Sequence, residues 1–233
     1  MAKKAKSGNI DGLQRYAFSL TGTQPLIMHN DSVLAADTLE AWRKDPANKR
    51  RSKAGDDRSP SWTWLSYLYL DNGQIVLPRE NLIAMLIKGG ASFKVGRMGT
   101  LKGETAASVF FESSYPLLVG VDRKPVQSAD LASLNGDEIA FSEHIERARE
   151  LGFMLDVRRA TVSTSKHVRV RPRFDRWAVD GEFSAYDDGA MGPETLSQLF
   201  ALCGRRVGLC DWRPSSPKKP GGNGTFTAEV SLV

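Results

Sequence analysis

The order of the periodic apolar segments is the feature that most constrains this fold. Apolar side chains alternate with polar ones over 14–22, so this segment is predicted to be a strand with one buried face. The same strand periodicity, and the three-to-four-residue periodicity of helices, recur at five further places. They predict helices over 80–89 and 194–203, and strands over 153–171, 177–185 and 225–232. The chain is therefore predicted to be an α+β protein.

In chain order these segments read strand, helix, strand, strand, helix, strand. That order is the ferredoxin-like β-α-β-β-α-β arrangement, whose sheet leaves one face open to a ligand. We predict one α+β domain over 14–233 with this core and a long insertion at about 31–152. A basic flexible tail over 1–13 precedes it, and its lysines could add phosphate contacts.

The insertion carries three local signals. Asp31 can cap a helix over about 32–44, where the apolar residues have helical spacing. Alternating aromatic residues over 62–70 predict a strand and are expected to pack in the core rather than to stack on bases. Asp71-Asn72-Gly73 then predicts the tight turn of a hairpin.

Charge and cysteine content limit the function classes. The chain has 32 Lys and Arg against 27 Asp and Glu, and a net charge of +5 says little about partners unless it is clustered. No uninterrupted apolar run approaches the roughly 18 residues of a transmembrane helix. Cys203 and Cys210 have no Cys/His pair to complete a zinc site. We therefore expect a cytoplasmic protein with no membrane contact, metal or cofactor.

Segment 157–177 carries the sharpest functional signal. Its acid content is limited to Asp175, and its cations are Arg158, Arg159, Lys166, Arg169, Arg171, Arg173 and Arg176. In a strand, every second residue from His167 to Arg173 points to one face, about 6.6 to 7 Å apart. Like charges in such a row repel one another unless an anion lies on them, and arginine binds phosphate oxygens through two N–H groups. This face is predicted to bind a nucleic-acid backbone; a solvated face, or pairing with carboxylates of the insertion, is the alternative.

Further candidates share a basic or aromatic character next to loops or strand ends: Lys166, His167, Arg97, Lys102, Trp212 and Arg213. Glycines near two of these cations would let backbone N–H groups approach a phosphate. The tryptophan could stack on a base. The basic loop 43–58 could lengthen the same track. Ordinary surface loops and a structural tryptophan are the alternatives.

An enzymatic hypothesis rests on His29. The chain has neither the His-Glu-x-x-His pattern of zinc hydrolases nor the Gly-x-Ser-x-Gly pattern of esterases. His29 follows the first strand, and with Asp31 nearby it could act as a general base toward a ribose 2′-hydroxyl. A metal-independent ribonuclease is therefore the rival prediction, whereas a hydrogen-bonded loop histidine is the simpler interpretation.

Two resemblances bear on function. The segments 25–30, 44–49, 168–177 and 208–214 resemble a family of proteins encoded by tailed bacteriophages and prophages, over nearly the whole chain. The first strand with the Pro-Leu-x-Met-His-Asn segment after it, and the closing helix, glycine-rich loop and strand, are similar to RAMP proteins. These are the RNA-binding backbone subunits of CRISPR effector complexes. The second resemblance implies a ferredoxin-like core with insertions that assembles side by side along single-stranded RNA.

These observations predict a non-enzymatic protein that binds single-stranded RNA or DNA and assembles with further copies along it. If the protein is phage-encoded, it would act in the bacterial host cytoplasm. A structural or host-interaction protein, whose basic face pairs with an acidic protein surface, is a second alternative. No feature reads a 2′-hydroxyl, so the choice between RNA and DNA stays open.

Overall fold

The computed structural model of the protein describes residues 12–94, 99–162, 164–187, 190–217 and 219–233. Within these residues the chain is a mixed α+β protein with antiparallel sheets, which confirms the predicted class. Residues 1–11 of the predicted tail lie outside the described residues, and the first strand begins at Leu13.

The helices of the described residues are α1 (Val33–Lys44), α2 (Arg79–Gly90), α3 (Lys102–Ser108), α4 (Phe141–Glu150) and α5 (Pro193–Arg206). Short 3-10 helices cover Pro46–Asn48, Ser61–Tyr67 and Ser128–Leu134. The strands are β1 (Leu13–Gly22), β2 (Leu26–Ile27), β3 (Leu70–Asp71), β4 (Gln74–Leu77), β5 (Val109–Phe110), β6 (Tyr115–Pro116), β7 (Leu118–Val119), β8 (Lys124–Pro125), β9 (Met154–Val162), β10 (Ser165–Phe174), β11 (Trp177–Tyr186) and β12 (Phe226–Leu232). Across the described residues, no helix combines the length and apolar character that a membrane span requires.

The main sheet has the strand order β12-β1-β11-β7-β8, and β5 also pairs with β11. β1 runs antiparallel to both neighbours, and its alternation places Tyr16, Phe18 and Leu20 in the core. Helix α5 packs against β12, α2 packs against α5, and the rings of Phe18 and Phe200 lie 6.1 Å apart. The predicted strand at 14–22 and both predicted core helices are therefore confirmed.

Segment 153–171 differs from the prediction of one strand in the main sheet. It forms the long hairpin of β9 and β10, which pairs with β2 in a separate sheet. The edge of β11 that such a strand would occupy is taken by β7 and β5 from the insertion. The neighbours β12, β1 and β11 keep the antiparallel order of a ferredoxin-like sheet, but the complete β-α-β-β-α-β core is not confirmed.

The strand predicted over 62–70 is wrong, because Ser61–Tyr67 forms a 3-10 helix. Hydroxyl groups stabilise the turns locally: Thr63 Oγ1 donates to the Pro60 carbonyl at 2.8 Å, and Ser66 Oγ donates to the Thr63 carbonyl at 2.6 Å. Trp64 is fully buried, so the expectation of core packing holds for that ring. The alternation of aromatic residues predicted a strand because residues buried on two sides of a short helix can also follow a period of two in the sequence.

Two other local predictions fare better. Helix α1 spans nearly the predicted residues, although the side chain that caps it is Ser32, which accepts from Ala35 N, rather than Asp31. Asn72 and Gly73 both have positive φ angles of 48° and 76° between β3 and β4. That is the backbone of the tight hairpin turn that this residue pair favours.

Gly204 in α5 and Gly103 in α3 form a matched pair for testing the contact between α5 and β12. A Cβ on Gly204 would lie 2.2 Å from the Phe226 carbonyl oxygen, whereas a Cβ on Gly103 would meet no atom within 4 Å. We expect Gly204→Ala to lower the free energy of unfolding by about 1–3 kcal/mol, because helix and strand must separate. Gly103→Ala should raise it by roughly 0.5–1 kcal/mol through better helix propensity. Urea unfolding measures both, and equal effects would contradict the contact.

Candidate nucleic-acid interface

The hairpin of β9 and β10 presents one face that carries Arg158, Arg169, Arg171 and Arg173, which we call the arginine row. Arg169 lies opposite Arg158, and Arg171 lies opposite Asp156, so these side chains share a face. The alternate residues Val170 and Phe174 are fully buried on the other face. The predicted alternation of this segment is therefore confirmed.

The expectation that this row lacks nearby acids is wrong. Four of its arginines form ion pairs within the chain: Arg158 with Asp156 at 2.8 Å, Arg169 with Asp57 at 3.0 Å, Arg171 with Asp211 at 3.2 Å, and Arg173 with Asp175 at 2.6 Å. Two of these acids come from distant loops that fold onto the hairpin. At these positions the aspartates of the chain itself balance the arginine charges, so no external anion is needed to relieve their repulsion.

The pair of Asp57 and Arg169 is a buried structural contact. The Asp57 side chain is 2% exposed. Its Oδ1 accepts from Arg169 Nη1 at 3.0 Å, and its Oδ2 accepts from Val170 N at 3.1 Å and from the Tyr67 hydroxyl at 3.2 Å. A buried carboxylate with this many donors holds its arginine in place. Arg169 therefore supports the fold, and its predicted phosphate contact would require breaking this pair.

The backbone next to Asp57 lies alongside β10. Val168 N donates to the Gly55 carbonyl at 2.8 Å, and Asp57 N donates to the Val168 carbonyl at 3.0 Å. Gly55 has a φ of +74°, and a Cβ there would lie 2.6 Å from His167 Nδ1. Only glycine fits this close approach of loop and ring without strain. The basic loop 43–58 is thus fixed beside the end of the hairpin that carries His167.

The loop after α5 brings Asp211 and Trp212 to the hairpin. Asp211 N donates to the Ile27 carbonyl at 2.9 Å, and Gly224 N donates to the Pro25 carbonyl at 2.7 Å. Trp212 adopts a left-handed φ of +53°, which is rare for residues other than glycine. The two backbone hydrogen bonds that hold this loop maintain that conformation. The Arg158 guanidinium carbon lies 4.8 Å from the centroid of the Trp212 ring. This cation–π pair makes a stacking platform at the edge of the arginine row.

His29 lies in the same cluster. His29 is an exposed residue whose ring is partly covered by its edge-to-face packing on Tyr67, with centroids 4.6 Å apart. Partial burial lowers the pKa of His29, and the positive charge of Arg171 lowers it further, so the imidazole is neutral at pH 7. Burial raises the pKa of Tyr67 to about 12, which keeps its hydroxyl protonated. Asp31, the predicted helper of His29, is exposed, and no hydrogen bond joins these two side chains in the described part of the chain.

A second group of cations has no carboxylate within ion-pair distance among the described residues. Arg159 and Lys166 lie in the distal half of the hairpin, and both are exposed. Arg50 and Lys53 lie in the basic loop and line a surface cleft of about 540 Å³. The loop backbone at 55–57 pairs with β10, so both groups border one stretch of surface. This uncompensated basic surface consists of Arg50, Lys53, Arg159 and Lys166.

The remaining predicted site residues are dispersed. Arg97 lies outside the described residues. Lys102 is exposed at the start of α3, which packs against α2 rather than beside the hairpin. Arg176 is exposed in the turn between β10 and β11, at the opposite end of β10 from Lys166. Arg213 Nη1 donates to the Cys210 carbonyl, so its guanidinium braces its own loop.

Comparison with known proteins adds no family to this picture. A scan against models of known protein families finds no match for the chain, and a search of curated proteins finds none. Within the described ranges, no three His, Cys, Asp or Glu side chains come together as a metal-binding group.

Sequence reasoning missed Asp57, Tyr67 and Asp211 as members of the cluster. The Asp56-Asp57 pair inside a basic loop is a usable signal, because an acid there has many cations to meet. Tyr67 was predicted on a strand, and Asp211 carries no local pattern. Their positions follow from tertiary contacts.

Asp57 and Asp175 allow the buried and the exposed ion pair to be compared. Asp57→Ala should lower the free energy of unfolding by about 3 kcal/mol, because it leaves Arg169 and two other donors without an acceptor. Asp175, with a side chain 45% exposed, should tolerate alanine at a loss below about 1 kcal/mol. Urea unfolding midpoints and slopes measure both. Similar losses for the two variants would show that Asp57 is not the structural contact described.

Proposed function

We propose that this protein binds single-stranded nucleic acid, with phosphates held on the uncompensated basic surface of Arg50, Lys53, Arg159 and Lys166. The observation that carries the proposal is the contrast within one region. The arginine row is paired with aspartates, whereas Arg50, Lys53, Arg159 and Lys166, the outer cations, form no ion pair among the described residues. Lys53 also interacts at longer range with Asp56, whose carboxylate is bound to Arg58. When clustered Lys and Arg side chains neutralise phosphates, the cations condensed on the nucleic acid are released into solution, and this release drives binding.

The aromatic groups around this surface favour a single strand over a duplex. Trp42 and Phe141 line the cleft next to Arg50, and Trp212 lies against Arg158 on the opposite face of the hairpin. Bases offer their faces to such rings only when they are unpaired. Arg171 and Arg173 lie on the opposite face of the hairpin, so they would bind only a strand that passes around its edge and displaces Asp211 and Asp175, and Arg176 could extend that path.

The finer parts of the sequence prediction remain proposals. The neighbours β12, β1 and β11 with α2 and α5 support a ferredoxin-like core in which the second strand is displaced. Assembly of copies side by side along the strand, and a phage origin, rest on the resemblances alone. A protein that binds no nucleic acid would favour the structural or host-interaction alternative.

Two double variants, each removing two cations, test the binding surface, and a third at another place serves as the control. Arg159→Ala with Lys166→Ala, and Arg50→Ala with Lys53→Ala, should each weaken binding of a labelled single strand. Each should reduce the steepness of the slope of log affinity against log salt concentration by about 1.4, because two phosphate contacts are lost and each contributes about 0.7 to the slope. Fluorescence anisotropy at several salt concentrations gives both quantities.

Arg205→Ala with Arg206→Ala is the matched control, since both residues are exposed in the last turn of α5. It should leave the slope unchanged. If it weakens binding as much as the hairpin variant, the effect is one of net charge and the proposed surface is wrong. Failure of the wild-type protein to bind any single strand would reject the function itself.

A second candidate function, metal-independent RNA cleavage, is favoured by the position of His29. A neutral, exposed imidazole beside Arg171 could take the proton from a ribose 2′-hydroxyl. The 2′-oxygen would then attack the adjacent phosphorus and expel the 5′-oxygen, which takes a proton from water. The products would be a 2′,3′-cyclic phosphate and a 5′-hydroxyl, and Arg171 would stabilise the extra negative charge on the phosphorus oxygens.

The cleavage hypothesis predicts a difference between two histidines. With labelled RNA in chelator, His29→Ala should reduce cleavage by at least about 100-fold while leaving binding intact. His167→Ala, a control that removes another imidazole of the same region, should cleave like wild type. Absence of cleavage by wild type, or continued cleavage when the 2′-hydroxyls are replaced by hydrogen, would exclude this mechanism.

A further inference from the structure

The cleft beside the uncompensated basic surface has the size of a small-ligand site. Its volume is about 540 Å³, within the roughly 300–1,000 Å³ typical of such sites. It lies between the C-terminal turn of α1, the loop before the 3-10 helix at Ser61–Tyr67, and the start of α4. The lining residues that bear on a ligand are Trp42, Arg50, Lys53, Asp56, Asp137 and Phe141.

The aromatic wall of this cleft is held in a fixed orientation. One carboxylate, that of Asp137, accepts from the indole N–H of Trp42 at 2.8 Å and from the indole N–H of Trp62 at 2.7 Å. The two rings meet edge-to-face, with centroids 6.4 Å apart. Both indoles are thus oriented at the surface of the protein, so a ligand that packs on Trp42 need not order it first.

The charges at the rim favour an anion. Four cations line the cleft against two carboxylates. Arg51 is bound to Glu138 at 2.8 Å, and Arg58 is bound to Asp56 at 2.7 Å. Arg50 and Lys53 form no ion pair in the part of the chain that the structure describes, and Lys53 interacts only at longer range with Asp56, which is bound to Arg58. A ligand with an aromatic ring and a phosphate would therefore find complementary groups on both sides of the cleft.

The cleft is continuous with the hairpin. Asp56 lines the cleft, and the same residue is bridged to Val168 of β10. A strand that runs from Lys166 over this segment would reach Arg50 and Lys53 at the mouth of the cleft. Its next base would then face the aromatic wall.

We infer that this cleft takes one base of the bound strand, unstacked from its neighbours and packed against Trp42 and Phe141. The phosphates that flank this base bind Arg50 and Lys53. The inference rests on the proposed binding of single strands and adds a base-recognition site to a surface that otherwise holds phosphates. It makes binding depend on the presence of bases as well as on charge.

Strands with and without bases test the inference. The probes are short labelled oligothymidylate and oligouridylate, each compared with a sugar-phosphate strand of equal length that lacks every base. Trp42→Leu should weaken binding of the base-bearing strands about tenfold and leave the baseless strands unaffected. Phe110→Leu, which removes an exposed aromatic ring from the main sheet, is the matched control and should change neither. Circular dichroism checks that each variant is folded.

Each outcome is decisive. If Trp42→Leu binds base-bearing strands like wild type, or if its affinity falls equally for both kinds of strand, the cleft does not hold a base. The proposed function stands in either case. If the wild type binds neither kind of strand, both proposals fall. Should Trp42→Leu not fold, Phe141→Leu takes its place with the same expected tenfold and base-dependent loss.

Discussion

The buried carboxylate of Asp57 is the contact on which the arrangement of the candidate site depends. It joins three parts of the chain: the basic loop that contains it, β10 through Arg169 and Val170, and the 3-10 helix through Tyr67. A carboxylate removed from water must be surrounded by donors, so these three segments can meet only in a narrow range of positions. The cleft and the distal hairpin are neighbours because of this contact. His29, which packs on Tyr67, is placed by it as well.

The distribution of charge explains why the outer cations, rather than the arginine row as a whole, are the best ligand-binding groups. Near the body of the protein each arginine of the row faces an aspartate, and this part of the surface is close to neutral. The open face of the main sheet is no substitute, because it carries Asp180, Glu182 and Glu229 around a shallow depression. Arg15 and Arg123 balance two of these acids. The acids of this sheet face would repel a polyanion, although the fold predicted from the sequence left this face open to a ligand. The hairpin and the basic loop 43–58 would attract it instead.

Binding and cleavage make different demands on the same cluster. Binding needs only the outer cations and aromatic faces, which are exposed. Cleavage needs His29 to stay neutral and close to a positive charge, and Arg171 supplies that charge while it also lowers the pKa of the imidazole. The two activities use opposite faces of the hairpin, because Arg159 and Lys166 share the face of Val168, whereas Arg171, which interacts with His29, lies on the face of Arg169. A strand that served both activities would have to pass around the edge of the hairpin.

The sequence by itself determined the elements whose pattern is local. The alternation of Tyr16, Phe18 and Leu20, the helix around Leu199 and the turn at Asn72-Gly73 follow from contacts within a few residues, and each was predicted. The alternation of the arginine row was predicted for the same reason. What only the tertiary structure decided is which distant groups meet these elements. Asp57 and Asp211 neutralise Arg169 and Arg171, and the insertion strands β5 and β7 displace the hairpin from the main sheet. Periodicity records which face of an element is buried, but the partner that covers that face or balances its charge depends on the path of the whole chain.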